Sequence, residues 1–406
     1  MTGTRGDVDV GQPSAHLRAG RRRLDHIDAI RAVAALFVFF LHVRGFWLPR
    51  PSGHGLSFIV DRIAAQGAAG VDVFVVLSGF CLTYPLVLGQ GATFRRLWVS
   101  AFYKRRALRL LPAYYAVLIV VVALEMVPSL ARRLVGPRPS ATDIVANALL
   151  LQPFDNHTLG SVNGPMWSIS LEFQLYLLFP VMLWLVTRSG WRVTVGGTIL
   201  LAFGTDVVGR WYDHHHAASA LSGLYQFSLP AHLFQFVLGM LAASLLARRA
   251  MVPLASTAVG GVVALAVGAV GTIAGEEFLR TFGYGVFAAT LVIIGSAIPD
   301  RFFEGASSPL RALTRLGLVS FSFYLVHQPV ILLLGGLAGS LVGHATIPLY
   351  LLGAALAVAL WGVAAVLFRV LEEPFLRRGS MLRVTEEASG RGSSPQRADR
   401  SAPNGR

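Results

Sequence analysis

Asp28-Ala-Ile-Arg-Ala-Val-Ala-Ala-Leu-Phe-Val-Phe-Phe-Leu-His42 is an apolar run with an acid and an arginine near one end and a histidine at the other. Read as a helix, the eleven-residue step from Arg31 to His42 comes to three turns plus roughly 20°. The two side chains therefore share one face, about 16 Å apart along the axis. Asp28, three residues before Arg31, lies on the same face. An apolar helix with an acid, a guanidinium and an imidazole on one stripe is a span whose polar side looks inward on other helices.

The composition agrees. Of 406 residues, 54% are hydrophobic and only 14% charged, with mean hydropathy +0.60. Soluble domains carry about 25% charged residues, so much of this surface has lipid as its solvent. We expect an all-α, polytopic transmembrane bundle of about ten spans, near 27–48, 69–89, 110–130, 165–187, 191–209, 229–247, 252–274, 281–298, 316–338 and 346–370. Residues 141–152 are apolar but too short to cross, and read as an interfacial or re-entrant helix. No small-residue cleavage site follows the first run, so it reads as a retained span. Residues 1–23 and 379–406 are polar, Gly- and Arg-rich, and read as disordered tails around a membrane unit at 24–378. One cysteine, Cys81, excludes an internal disulfide and a cysteine metal cage.

The net charge is +14, and nearly all of it is arginine, Lys104 being the only lysine. These arginines flank apolar runs, which marks topology and not nucleic-acid binding. With both termini cytoplasmic, the inside loops hold Arg95, Arg96, Lys104, Arg105, Arg106, Arg109, Arg188, Arg192, Arg248, Arg249, Arg301, Arg311, Arg315, Arg377 and Arg378. Arg132, Arg133 and Arg138 fall outside and break the pattern. No internal repeat of the transporter kind is visible.

Ionisable groups within spans are functional candidates. His42 is the first candidate for a general base, since a buried neutral imidazole accepts a proton near neutral pH; an interhelical hydrogen bond is the plainer account. Arg31 reads as a ligand-binding cation or as a snorkelling anchor. Asp72, in Val71–Phe80, can orient His42 or pair with an arginine, beside Ser78 and Gly79. Arg105, Arg106 and Arg109 form a cationic patch that suits phosphates or lipid headgroups. Trp167 precedes Ser168, Glu172 and Tyr176, which repeat at i, i+4 and i+8, and Glu172 needs a partner such as Arg31 or His42. Ser320, Tyr324 and His327 form a second stripe, and Glu372 closes the last span. Glu125 lies near the end of the third. Asp213 and His214–His216 are consecutive, a poor spacing for one metal ion, and no metal site is expected.

Taken in order, these stretches resemble acyltransferase family 3, the integral-membrane acyltransferases. Asp28, Arg31 and His42 resemble its opening Leu-Asp-Gly-Leu-Arg-Ala with the histidine eleven residues after the arginine. Val71–Phe80 resembles its Val-Asp-x-Phe-Phe-x-Leu-Ser-Gly-Phe; Arg106–Pro112 its Arg-x-x-Arg-x-x-Pro; Trp167–Pro180 its Trp-Ser-Leu-x-x-Glu segment; Ser322–His327 its Ser-x-Tyr-Leu-x-His; Glu372–Phe375 its closing Glu-x-Pro-Phe. Leu175 and His26 are small departures. The resemblance runs from about Leu24 to Arg378, with no extracytoplasmic hydrolase-like domain after it, which argues against a two-domain relay.

The resemblance implies a multi-pass cell-membrane enzyme that moves an acyl group, commonly acetyl, from cytoplasmic acyl-CoA to a hydroxyl. Acceptors would be a sugar, a cell-envelope glycan, or a glycosylated or macrolide metabolite. His42 would then be the base, with Glu172 or Asp72 orienting it. Arg31, Arg105, Arg106 and Arg109 would hold the CoA, and Ser78 or Tyr176 would donate to the oxyanion. The competing reading is a proton-coupled transporter of a glycolipid or metabolite, with His42, Asp72 and Glu172 as the relay.

Overall fold

The computed structural model describes residues 24–48, 54–89, 99–134, 139–216, 221, 223–248, 250–299, 301–304, 309–343 and 345–379. Among these, every regular element is helical: α1 (Asp25–Trp47), α2 (Leu56–Ala65), α3 (Ala69–Gly89), α4 (Val99–Glu125), α5 (Pro128–Leu134), α6 (Ala141–Ala148), α7 (Met166–His215), α8 (Leu229–Ala247), α9 (Leu254–Ala274), α10 (Glu277–Gly295), α11 (Arg301–Glu304), α12 (Pro309–Leu318), α13 (Ser320–Val342) and α14 (Thr346–Leu367). Nine helices among the described residues are long and apolar enough to cross a membrane. The expected tails lie outside the described residues apart from Gly379.

One of the nine, α7, has 50 residues, about 75 Å if straight, against a hydrocarbon core of about 30 Å. It breaks at Gly190, whose φ of +78° lies outside the helical region. The two limbs fold back: Trp167 at the start meets Phe227 with ring centroids 4.8 Å apart, and Gly209 near the end packs on the ring of Tyr225. Both ends thus meet one short turn, 225–227, and the limbs match the expected spans 165–187 and 191–209. The third span starts eleven residues earlier than expected, at Val99, so the cationic 104–109 stretch is helical from the outset. The short segment before α7 gives α6, capped by Ser140, whose hydroxyl accepts from the Asp143 amide at 3.2 Å while the Ser140 amide donates to the Asp143 carboxylate at 2.8 Å.

Lipid tails are as apolar as leucine, so close packing and buried polar bonds must hold the bundle together. Small residues supply the packing. A Cβ on Gly79 of α3 would lie 2.0 Å from the Phe236 carbonyl oxygen, and one on Gly239 of α8 1.9 Å from that of Val76. A Cβ on Gly317 of α12 would lie 1.8 Å from the Asp28 oxygen, which fixes α12 against the start of α1. Helix α1 is the hub, contacting α2, α3, α10, α12, α13 and α14. Its Ala32 and Phe39 are fully buried. Outward residues such as Val259, Val262 and Val358 are apolar and exposed, as a lipid-facing surface requires. The end at which α1 starts is called here the first face, and the end at which it finishes the second face.

Candidate functional site

Helices α1 and α13 run side by side from the first face towards the second and bring two imidazoles together. The His42 and His327 ring centroids are 4.9 Å apart, and His327 Nε2 is 3.3 Å from His42 Nδ1. Backbone carbonyls assign the tautomers, because a carbonyl oxygen only accepts. His42 Nδ1–H donates to the Val38 carbonyl one turn back, at 2.8 Å. His327 Nδ1–H donates to the Tyr324 carbonyl at 2.6 Å. His327 Nε2 is then a lone pair facing His42 Nδ1–H, and His42 Nε2 is a free lone pair. This arrangement leaves one histidine ready to take a proton and the other ready to support the resulting cation.

A cleft of about 800 Å³ of free space, open solvent included, runs along the bundle between α1, α3, α4, α7 and α13, with neither imidazole in its lining. Its first-face end is lined by Arg31, Arg109, Ser78 and Tyr176, and its inner end by Val71, Ser168 and Tyr324. The stripe Ser168, Glu172, Tyr176 lines one wall as its spacing predicts. Glu172 finds neither Arg31 nor His42: its carboxylate accepts from the Ser78 hydroxyl at 2.9 Å and from the Tyr176 hydroxyl. Both hydroxyls are therefore engaged, and neither is free to meet an oxyanion. At the inner end Ser168 donates to the Pro165 carbonyl at 2.9 Å, and Ser168 and Tyr324 hydroxyls bond at 2.8 Å. The Tyr324 ring lies 5.3 Å from that of His327, which joins the cleft to the imidazole pair.

The cations gather at the first face. Arg31 donates to Asp28 at 3.0 Å and to Cys81 Sγ at 3.2 Å. Arg106 lies over the rings of Phe102 and Tyr176, 5.7 and 5.8 Å from their centroids, and its buried Nε has no partner among the described residues. Arg109 is exposed at the mouth of the cleft and in no ion pair among the described residues. Arg105 is half-buried one residue before Arg106. Glu372 sits on a π-helical turn, Phe368–Glu372, and accepts from Ser322 of α13. Wide turns of this kind recur at functional sites.

The expectation that Asp72 or Glu172 orients His42 fails, while the alternative reading of Asp72, pairing with an arginine, holds. Asp72 does not approach His42. It is fully buried near the second face, where its carboxylate accepts from Arg280 at 2.8 Å and Gln235 at 2.7 Å, with His232 Nδ1 3.8 Å away. Glu172 is likewise no partner of His42. Neither carboxylate orients the imidazole; a backbone carbonyl and a second histidine do. Trp167 packs against Phe227 and His232 and does not line the cleft. Arg280, Gln235 and His232 were missed in the sequence. Arg280 sat one residue outside the expected span, where a charge reads as a flank; a span shifted by one turn would have flagged it. Asp213 accepts from the Gly223 amide at 2.9 Å.

The acyltransferase domain profile of acyltransferase family 3 matches residues 24–366. The chain is 29% identical over 380 residues to the acyltransferase MdmB of Streptomyces mycarofaciens, covering 87% of this chain and 92% of that protein. It is 24% identical over 379 residues to the O-acetyltransferase OatA of Staphylococcus aureus strain NCTC 8325, covering 88% of this chain and 58% of that protein. It is 29% identical over 215 residues to the peptidoglycan O-acetyltransferase OatA of Listeria monocytogenes, covering 48% of this chain and 32% of that protein. The chain thus spans about a third and somewhat over half of the two OatA proteins. No solved structure matches. With the profile covering all but the C-terminal end of the membrane unit, the chain belongs to acyltransferase family 3.

Proposed function

We propose that the protein is an O-acyltransferase that moves an acetyl group from acyl-CoA to a hydroxyl on a sugar or sugar-bearing acceptor. One observation supports this reading: a cleft with arginines at one end and, at the other, Tyr324, whose ring lies 5.3 Å from that of His327 in the His42–His327 pair. Arg31, Arg105, Arg106 and Arg109 face the phosphates and nucleotide of the donor, and the cleft takes its acyl-bearing arm. Planar guanidinium groups suit phosphate oxygens, and the unpartnered Arg106 Nε has a donor hydrogen to give.

In this mechanism His42 Nε2 takes the proton of the acceptor hydroxyl as its oxygen attacks the thioester carbonyl. The imidazolium is held by the Val38 carbonyl and the His327 lone pair on its Nδ1–H. Attack gives a tetrahedral oxyanion, which the Tyr324 hydroxyl meets by turning its hydrogen away from Ser168, a neutral partner, whereas Ser78 and Tyr176 are held by the Glu172 carboxylate. Collapse of the oxyanion breaks the carbon–sulfur bond, and the proton on His42 returns to the departing thiolate. The arginine distribution supports a first face in the cytoplasm, with both termini there and the protein in the cell membrane. The OatA relatives support acetyl as the group transferred and an envelope glycan as one acceptor class.

Purified protein with radiolabelled acetyl-CoA tests this. His42→Ala is expected to lose transfer by roughly 10²–10⁴-fold while keeping its elution profile and its affinity for acetyl-CoA. Full activity in that variant would overturn the role of His42.

A further inference from the structure

We propose that Glu172 reads the donor: its free carboxylate oxygen accepts the amide N–H next to the thioester of acyl-CoA, so the cleft selects thioesters that carry this amide. This rests on the acyl-transfer reading above.

Glu172 is a half-buried carboxylate in the wall of the cleft. Its Oε1 takes both hydroxyl donors, Ser78 at 2.9 Å and Tyr176. Its Oε2 accepts from none of the described residues, and among them no cation is paired with the carboxylate. Nor is Oε2 sealed off by its neighbours, as the side-chain oxygens of Gln328 and Asn163 are. Its open side is the cleft that Glu172 lines. A carboxylate offers acceptors alone, and one held among membrane helices without a cation is costly unless hydrogen bonds satisfy it. A molecule lying in the cleft at this level therefore has to bring an N–H or an O–H. The acceptor hydroxyl has its own place at His42, outside the cleft lining.

The spacing along α7 picks out the group. Glu172 stands four residues from Ser168, about 6 Å along the helix. Ser168 is bonded to Tyr324, which meets the oxyanion formed at the thioester carbonyl. In acyl-CoA the nearest amide nitrogen lies four bonds from that carbonyl carbon, about 5 Å when the arm is extended. One turn further towards the first face, the ring of Tyr176 lies 5.8 Å from the Arg106 guanidinium, where the anionic part of the donor begins. Carbonyl, amide and phosphates thus follow the order Tyr324, Glu172, Arg106. Val75 and Leu110 keep the middle of the cleft apolar, which strengthens an N–H bond to a carboxylate. An arm without that N–H leaves the carboxylate stranded.

The test is calorimetric titration of the purified full chain with acetyl-CoA and with an analogue carrying CH2 in place of that N–H. Wild-type protein is expected to bind acetyl-CoA roughly tenfold or more tightly than the analogue, as one hydrogen bond to a charged group demands. Glu172→Ala should bind the two alike. Glu172→Gln, which keeps a carbonyl oxygen, should recover part of the preference. Arg109→Ala should weaken both ligands and keep their ratio. Each protein is its own reference, so a low yield of folded variant does not move the ratio. Equal affinities in the wild type overturn the role of Glu172 while leaving the donor reading intact, and so does a preference that survives Glu172→Ala. A wild-type protein that binds neither ligand overturns the donor reading itself, and this inference with it.

Discussion

His327 Nε2 lies 3.3 Å from His42 Nδ1, so the residue that supports the proposed base is a second imidazole and not a carboxylate. A neutral supporting group costs less desolvation in a bilayer than an ion would. We expect His327→Leu to lower kcat by roughly 10- to 100-fold with acetyl-CoA affinity unchanged. His327→Gln, which keeps an acceptor, should recover part of it. Steady-state kinetics on purified variants checks both; a wild-type rate for His327→Leu would leave His327 as packing.

Arg31 and Arg109 line the same end of the cleft but differ in their ties. Arg31 is paired with Asp28, whereas Arg109 is exposed. Arg109→Ala should therefore weaken acetyl-CoA binding by about tenfold, the value of one charge-assisted contact, with thermal stability unchanged. Arg31→Ala should lose both. Calorimetric titration and thermal unfolding in detergent separate the two, and unchanged affinity in Arg109→Ala would return it to a topology signal.

Asp72 and Arg280 form an ion pair with side chains 0% and 15% exposed. Removing one partner of such a pair costs about 3–5 kcal/mol, because the other charge is left stranded. Arg280→Ala is expected to lower the unfolding temperature markedly, and Asp72→Asn less, while the folded fraction keeps most of its activity per molecule. Full stability with lost turnover would instead put Asp72 in the chemistry.

Gly79 and Gly239 cross with each Cα facing the other helix's backbone oxygen. Gly79→Ala would put a methyl 2.0 Å from the Phe236 oxygen, which nothing but separation of α3 and α8 relieves. We expect little folded protein from either single alanine variant, measured as the monodisperse fraction after extraction. Normal yield and stability would show that the crossing is looser than drawn.

Much of this was legible in the sequence because two signals are strong in a membrane protein. Long apolar runs give spans, and the few ionisable residues within them mark the inward faces. The stripe from Ser168 to Tyr176 followed from helical spacing, and the placing of Arg31 and Arg109 at one end of the bundle followed from the arginine pattern along the spans. The pairing of His42 with His327 did not, because spacing along one helix says nothing about which other helix lies alongside. That Asp72 pairs with an arginine was legible, but that the arginine is Arg280 of α10 was not, for the same reason. Glu172 had Ser78 and Tyr176 within reach, one of them on its own helix, but a buried carboxylate suggests a cation first.

The break at Gly190 bears on how the chain enters the membrane. With no loop between its limbs, α7 has nothing to leave behind on the first face, and Arg188 and Arg192 bracket the bend itself. Two limbs joined without a loop are expected to insert as one helical hairpin with its arginines at the tip. A ribosome that stalls within the second limb would leave a half-hairpin whose first limb already carries Ser168 and Glu172. One wall of the cleft thus comes with the hairpin, and the facing wall, Ser320 and Tyr324 of α13, comes only near the end of the chain, so the site closes late in synthesis.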